Sequence, residues 1–402
     1  MTTNLSQHFL LDPEVVFLNH GSFGACPRPV FEDYQRWQLK LERQPVEFLD
    51  SRRGLAPNLR VAREALAAEF GTSADNIAQV SNATTGLNVA LQSLPLKPGD
   101  EILTTNHEYS ALEKTLAFVA RRTGAKIVVA EVPLPLTSAE AFHDAILSAV
   151  TPRTRVLFLS HVTSATALLF PIERLIAEAR QRGIWSVIDG AHAPGHVPLD
   201  LDALGADVYS GNCHKWMMAP KGAAFVHVRP EWQAMIDPLV VSHGWTADNK
   251  EPGVRGPFGA SAFVDEIEMQ GTRDPSPWLA VPAALAFRRA HDWWQVAAEC
   301  SRLAQETAAR VRDLFGLDAL SSPEFSAPQM VAMPIPACDP IAVHDALLRD
   351  YGIEIPVFEW QGHHIARLSC QGYNTREQMD LLVTALGELL AREQPLRKRG
   401  QA

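Results

Sequence analysis

Ile184-Trp185-Ser186-Val187-Ile188-Asp189 is an apolar run that ends in a carboxylate, and further along the chain Tyr209-Ser210-Gly211-Asn212-Cys213-His214-Lys215-Trp216 places a lysine directly after a histidine. The first stretch reads as a buried strand whose last side chain emerges at the strand end. The second reads as a short polar turn between strand-like runs at 206–209 and 223–228. What precedes the pair decides the fold. Strands predicted at 101–105, 126–131, 155–160 and 184–188 alternate with helices at 110–122, 139–150 and 172–182, an order that implies βαβ units and a mostly parallel sheet covered by helices on both faces. The class is α/β. Ligands of such sheets gather beyond the carboxyl ends of the strands, where this sequence has His107 and Tyr109, His161 to Ser164, Asp189 and His192.

Upstream of the alternation a helix is predicted at 58–70, followed by Asn82-Ala83-Thr84-Thr85-Gly86 and then Leu87, Ala90, Leu91 and Leu94 at helical spacing. A loop of small and hydroxyl residues therefore opens a helix. Its free N–H groups suit a phosphate, while a threonine that merely caps the helix gives the same pattern. Nearer the N-terminus, Phe17-Leu18-Asn19-His20-Gly21-Ser22-Phe23-Gly24 reads as a short strand entering a glycine loop, which is either a tight turn or a backbone that approaches a ligand. Pro29 opens an amphipathic helix through residue 41.

Downstream, residues 240–277 are rich in Gly, Pro, Trp and Phe and read as loops lining a site or an interface, with Gln270-Gly271-Thr272-Arg273-Asp274 as the most polar point. Helices at 278–292 and 294–315, strands at 329–333, 353–357 and 364–369, and a helix at 375–392 form a second α+β unit. The predicted division is an N-terminal segment (1–50) packing with the small domain, a large α/β domain (51–280), a small α+β domain (281–392) and a flexible tail (393–402) carrying the basic cluster Arg397-Lys398-Arg399.

Composition narrows the function classes. A chain of 402 residues with 47% hydrophobic and 20% charged residues can bury a large core, and a net charge of -10 lacks the basic footprint that nucleic acid requires. Five cysteines scattered singly, with no CxxC pair, argue against a disulfide framework and a structural zinc site and suit a reducing cytoplasm. No apolar run reaches the roughly 18 residues of a membrane span.

The chemistry centres on Lys215. A lysine amine condenses with an aldehyde to a Schiff base, and pyridoxal phosphate is the common protein-bound aldehyde that needs one. A carboxylate buried at the end of a strand, as Asp189 is expected to be, needs a cationic partner, and the ring nitrogen of that cofactor is one.

Ala83-Thr84-Thr85, Asp189-Gly190-Ala191-His192, His214-Lys215 and Arg367-Leu368-Ser369 with Tyr373-Asn374-Thr375 together resemble the class V aminotransferase family of fold-type I pyridoxal-phosphate enzymes, in order and spacing over nearly the whole chain. The openings Leu18 to Gly24 and Gly211 to Trp216 resemble its isopenicillin-N epimerase-like branch, which also includes carbon–sulfur lyases. The resemblance implies a large domain with a seven-stranded, mostly parallel sheet and a homodimer with shared active sites. It implies that Lys215 carries the cofactor and moves the proton at the α-carbon, that Asp189 partners the ring nitrogen, and that His192 lies near the phenolic oxygen. Ala83, Thr84, Thr85, Asn212 and His214 are implied around the phosphate, with Thr272 reaching it from the second subunit, and His161 is implied in the site. Arg367 is implied as the fork for the substrate carboxylate, with Asn19, His20 and Gly21 on the substrate side. Where the family usually stacks a histidine on the ring this sequence has Tyr109, which can stack and also keep a hydroxyl for proton transfer.

The substrate so implied is a small molecule with an α-amino-acid end. Loss of its α-proton opens three outcomes: reprotonation on the opposite face, loss of a β-substituent, or transamination. A cysteine just before the carboxylate-binding arginine would mark a desulfurase, and Gly362-His363-His364-Ile365-Ala366-Arg367 has none. A catalytically silent cofactor-binding regulator is the reading from a different class, and the intact Lys215, Asp189 and Arg367 speak against it.

Overall fold

The apolar runs of the central chain assemble into one seven-stranded sheet. The computed structural model describes residues 5–246 and 253–397. Its strands are β1 (Val16–Phe17), β2 (Ile77–Val80), β3 (Glu101–Thr105), β4 (Lys126–Ala130), β5 (Thr154–Ser160), β6 (Trp185–Gly190), β7 (Val208–Asn212), β8 (Ala224–Val228), β9 (Met330–Ile335), β10 (Ile353–Glu354), β11 (Val357–Trp360) and β12 (His363–Ser369). The large sheet has the order β2-β8-β7-β6-β5-β3-β4. From β7 to β4 neighbours are parallel, and β8 is antiparallel to both β7 and β2. Strands β2, β3, β7 and β8 are buried along their whole length, as a sheet covered on both faces demands.

Register brings the polar strand ends together. Ser160 lies opposite Asp189, Asp189 opposite Ser210, and Gly190 opposite Gly211. A Cβ on Gly190 would sit 2.0 Å from the Tyr209 ring, so only glycine lets β6 and β7 pack this tightly beneath the crevice.

Two elements of this region escape the sequence reading. Strand β2 is short and interrupted by Gln79. The helix Ala262–Glu268 lies inside the predicted loop segment 240–277 and buries all seven residues, including Asp265, Glu266 and Glu268. These charges look solvated in sequence but have internal partners. Arg63 pairs with Glu268 at 2.6 Å, and the backbone N–H of Gln79 donates to the same carboxylate at 3.0 Å. Buried charge of this kind is tolerated only when so paired.

The second sheet is antiparallel, in the order β11-β12-β9, with the helix Trp293–Phe315 packed on β9. The single strand predicted at 353–357 is two pieces, β10 and β11, with Pro356 between them. β1 pairs in parallel with β10, which ties the N-terminal segment to this part of the molecule. The last helix runs from Arg376 to Arg397, past the predicted end at residue 392 and into the predicted tail. The remainder of that tail, with Lys398 and Arg399 of the basic cluster, lies outside the described residues. Among the described residues no helix is long and apolar enough to cross a membrane, and no group of side chains could hold a metal ion.

Candidate active site

Lys215 follows β7, in a segment that departs from the predicted polar turn. β7 runs on to Asn212, and Cys213, Trp216, Met217 and Met218 are buried. Met218 takes a φ of 63°, a left-handed conformation costing a long side chain about 1–2 kcal/mol, and its N–H donates to the Lys215 carbonyl at 2.9 Å. That carbonyl also lies 3.1 Å from Nε2 of His20. Gly24 (φ 71°) presses against the same backbone, where a Cβ would come within 2.1 Å of the His214 carbonyl, and Arg288 donates to the Trp216 carbonyl at 2.9 Å. Surrounding contacts thus over-determine the backbone at Lys215, as strained functional positions require.

The lysine side chain opens on a cavity of about 560 Å³ at the carboxyl ends of the parallel strands. Asp189 and His192 line it from the end of β6 and the turn beyond, Asn212 and His214 from the end of β7, and Tyr109 from the start of the helix Ser110–Thr123. Ala83 and Thr84 line it from the first turn of the helix Ala83–Ser93, and Gly21, Ser22, Ser164 and Arg367 close it from the opposite side.

The Lys215 amine is 2.9 Å from His192 Nε2. On its other side the imidazole receives the Trp216 indole N–H at Nδ1 (3.4 Å). An indole nitrogen can only donate, so the imidazole proton belongs on Nε2 and points at the amine, which must then accept it as a neutral base. Burial works in the same direction. It lowers the Lys215 pKa, with the Arg367 charge adding to the effect and Asp189 opposing it, and it holds His192 well below the usual histidine range. Burial also raises the Asp189 carboxyl, although the Ala191 N–H donates to Oδ1 at 2.8 Å. A buried acid in this condition is stabilised as an anion by a cation placed in the cavity it lines.

At the far end, Asn82 caps the helix Ala83–Ser93 by accepting the Thr85 N–H at 2.8 Å. The Ala83 N–H donates to Asn212 Oδ1 at 2.8 Å. His214 Nδ1 faces the Ala223 carbonyl at 3.3 Å, which leaves Nε2 for the cavity, and burial lowers its pKa to about 4. A helix start with a threonine and a histidine beside it is suited to a phosphate.

Arg367, on β12, is buried, and burial lowers its pKa to about 10. Nη1 donates to the Ser164 carbonyl (2.6 Å) and hydroxyl (3.2 Å), Nη2 donates to Ser22 Oγ (3.0 Å), and Nε is buried without a partner. Among the described residues no carboxylate pairs with it. A buried guanidinium held only by hydroxyls and a carbonyl carries an uncompensated charge and leaves room for an anion. The cavity therefore supplies a carboxylate for a ring nitrogen, an amine for an aldehyde, a helix start for a phosphate and a guanidinium for a substrate carboxylate, and pyridoxal phosphate fits it.

Several implied site residues lie elsewhere. His161 is behind the cavity wall, with Nδ1 3.0 Å from the Tyr209 hydroxyl. His20 is fully buried and braces Lys215, with Nδ1 3.0 Å from the Tyr373 hydroxyl. Asn19 does not line the cavity; it accepts from the Ser22 hydroxyl at 2.5 Å and donates to Glu354 at 2.9 Å, which steadies the serine that holds Arg367. Thr85 spends its N–H and hydroxyl on the Asn82 cap, and Thr272 is exposed, away from this chain's cavity. For His161, His20, Asn19 and Thr85 the residue type suits the site, but backbone geometry turns the side chain into a supporting layer; Thr272, implied for the second subunit's site, lies on the surface. Ser164, among the polar residues expected at the strand ends, lines the cavity, and so do Ser22, Ser160 and Lys221, which carry no expected role. Serines at strand ends give no sequence signal that separates them from ordinary turn residues.

The aminotransferase class-V family model matches residues 27–382. Isopenicillin N epimerase of Amycolatopsis lactamdurans is 36% identical over 96% of this chain and 98% of its own length. L-cysteine desulfhydrase of Arabidopsis thaliana is 28% identical over 94% of this chain and 88% of its own. In solved structures the fold is shared with C-DES bearing glycine covalently linked to its PLP cofactor, at a TM-score of 0.81 and 21% identity over 96% of this chain and 99% of that one. With the match spanning both sheets and the cavity between them, the chain belongs to the class V aminotransferase family of pyridoxal-phosphate-dependent enzymes.

Proposed function

We propose that this enzyme removes the α-proton of an amino-acid substrate at Lys215 and restores a proton on the opposite face from Tyr109, as an epimerase similar to its isopenicillin N epimerase relatives. The observation that carries the reading is the placement of a neutral amine, a phenol and an unpaired guanidinium on three different elements around one cavity. Arg367 binds the substrate carboxylate in the fork its serines leave open and so orients the α-carbon. Asp189 holds a proton on the ring nitrogen, and the helix start with Thr84 and His214 takes the phosphate. Pyridoxal phosphate, when bound, supplies the aldehyde for the substrate amine and the ring that draws electrons from the α-carbon. Lys215 takes the proton. His192 keeps the amine unprotonated beforehand by donating to it.

A homodimer completes this reading, with exposed Thr272 given to the phosphate end of the other copy's site. None of the five cysteines, all among the described residues, forms a disulfide, in keeping with a reducing, cytoplasmic setting. The desulfhydrase relatives favour a second reading, a carbon–sulfur lyase that begins with the same proton removal.

Incubation in D2O with a panel of L- and D-amino acids separates the two. Deuterium at the α-carbon without pyruvate or ammonia is expected, and their release as the main products contradicts the epimerase. Tyr109→Phe is expected to keep deuterium exchange while slowing inversion by roughly 100-fold to 1,000-fold, the usual contribution of one positioned acid. Exchange and inversion falling together would remove Tyr109 from that role.

Arg367→Lys keeps the charge but loses the planar fork. KM for the best substrate is expected to rise about tenfold to a hundredfold, while the cofactor absorbance stays in place. Steady-state kinetics beside the visible spectrum check it.

A further inference from the structure

We propose that Glu108 is the positioning residue of the cavity floor, tying the end of β3 to the end of β5 so that Tyr109 and Ser160 are held in place at the cavity. This inference rests on the α-proton reading above for its catalytic consequence. Glu108 is buried, with Oε1 2.7 Å from the Thr105 hydroxyl and Oε2 2.6 Å from the Ser160 hydroxyl. Ser160 lines the cavity and stands opposite Asp189 in the sheet, and Glu108 is followed directly by Tyr109. One carboxyl group thus joins two strands and the residue that carries the phenol.

The rest of the connection is braced from other sides. His107 points away from the cavity, with its ring nitrogens 2.9 Å from the Thr166 hydroxyl and 3.3 Å from the Val132 carbonyl. The tip of the β11–β12 hairpin lies on it, with the Trp360 ring 4.6 Å from the His107 ring and Gln361 donating to the Asn106 carbonyl at 3.0 Å. The same hairpin carries Arg367. Carboxylate binding and phenol placement therefore share a mechanical connection.

The groups facing Glu108 are hydroxyls from β3 and β5 and the carboxylate of Asp189 from β6. Among the described residues no cationic side chain pairs with it. Burial, with Asp189 adding to it, raises its pKa to about 7 against the two hydroxyl bonds and a backbone bond from Ser160 that oppose the shift. As the neutral acid it has a proton to donate. Thr105 and Ser160 each donate to the ionised carboxylate, and in the neutral acid one of the two hydroxyls accepts its proton instead, so both strand ends stay tied to Glu108 in either state.

The test compares Glu108→Ala and Glu108→Gln with the unaltered enzyme in α-proton exchange and in thermal melting. The alanine variant is expected to lose about tenfold to a hundredfold in kcat with KM less affected, because the phenol and hydroxyl lose their placement. The glutamine variant, which mimics the neutral acid, is expected to recover most of that loss and to lack the wild-type decline in rate above pH 7. Melting gives the sign independently. The folded acid has its pKa raised from 4.5 to about 7, so the wild type loses stability as pH rises through that window, and the advantage of Glu108→Gln in Tm should grow there and level off above it. A Glu108→Ala kcat within about twofold of wild type, or melting curves of Glu108→Gln and wild type that stay parallel from pH 4.5 to 7, would overturn the proposal. Absence of exchange in the wild type with every amino acid defeats the α-proton reading instead, and the melting comparison still decides the state of Glu108.

Discussion

Lys215→Ala is expected to abolish the visible absorbance of the bound cofactor and to reduce turnover by about four orders of magnitude or more, since on the proposed function it removes both the cofactor's covalent partner and the base at the α-carbon. The loss should be specific. Lys215 does not hold its own loop together: the Met218 turn, the Gly24 contact, and the bonds from His20 and Arg288 all engage backbone atoms. The variant should therefore fold and melt close to wild type. Taking an ammonium-capable group out of a buried site costs the apoprotein little, because burial already disfavours its charged form. Added methylamine, the missing amine as a small molecule, is expected to restore a fraction of the exchange. Full visible absorbance in Lys215→Ala would require a different lysine to carry the cofactor.

Asp189→Asn is the second large effect, and it has opposite signs in the two states of the protein. On the proposed function the carboxylate is the buried counterion of the ring nitrogen once the cofactor is bound, and breaking such a pair costs roughly 3–5 kcal/mol, about a hundredfold to several thousandfold in rate. Without cofactor, the same carboxylate is penalised by burial. Its folded pKa lies above the unfolded value, so stability falls as pH rises through the interval between 3.8 and about 6, and the neutral pH apoprotein carries that loss. The asparagine keeps the acceptor for the Ala191 N–H and removes the charge. Apo Asp189→Asn is therefore expected to melt above apo wild type at pH 7 while turning over far more slowly. A variant that melts lower and works normally would refute both halves.

The contrast between legible and hidden parts of this molecule follows from where periodicity carries information. The alternation from residue 101 to residue 188 is legible because each strand has an apolar stretch of β-forming residues and the helices between them have their own period, and the sheet forms from those stretches. Asp189 and Lys215 are legible because one ends a buried run and the other follows one. Strand β2 and the helix Ala262–Glu268 are hidden because β2 is short and the helix buries charged residues that a distant partner, Arg63 on Glu268, makes tolerable, which no local pattern announces. His20 and His161 illustrate the converse limit. Each stands among polar residues near a strand, yet the backbone turns each ring into the protein, where burial holds His20 at about 3 and His161 at about 4. Glu108 is adjacent to Tyr109 in sequence, but its burial between two strands appears only when β3 and β5 are laid side by side.

The measurement closest to the central claim is the position of the cofactor on the chain. Holoenzyme reduced with borohydride retains the cofactor on the amine it has condensed with, and a digest read by mass spectrometry identifies that residue. The expected label lies on the peptide containing Lys215. Label on Lys221, the other lysine lining the same cavity, or no label on any lysine, would contradict the account.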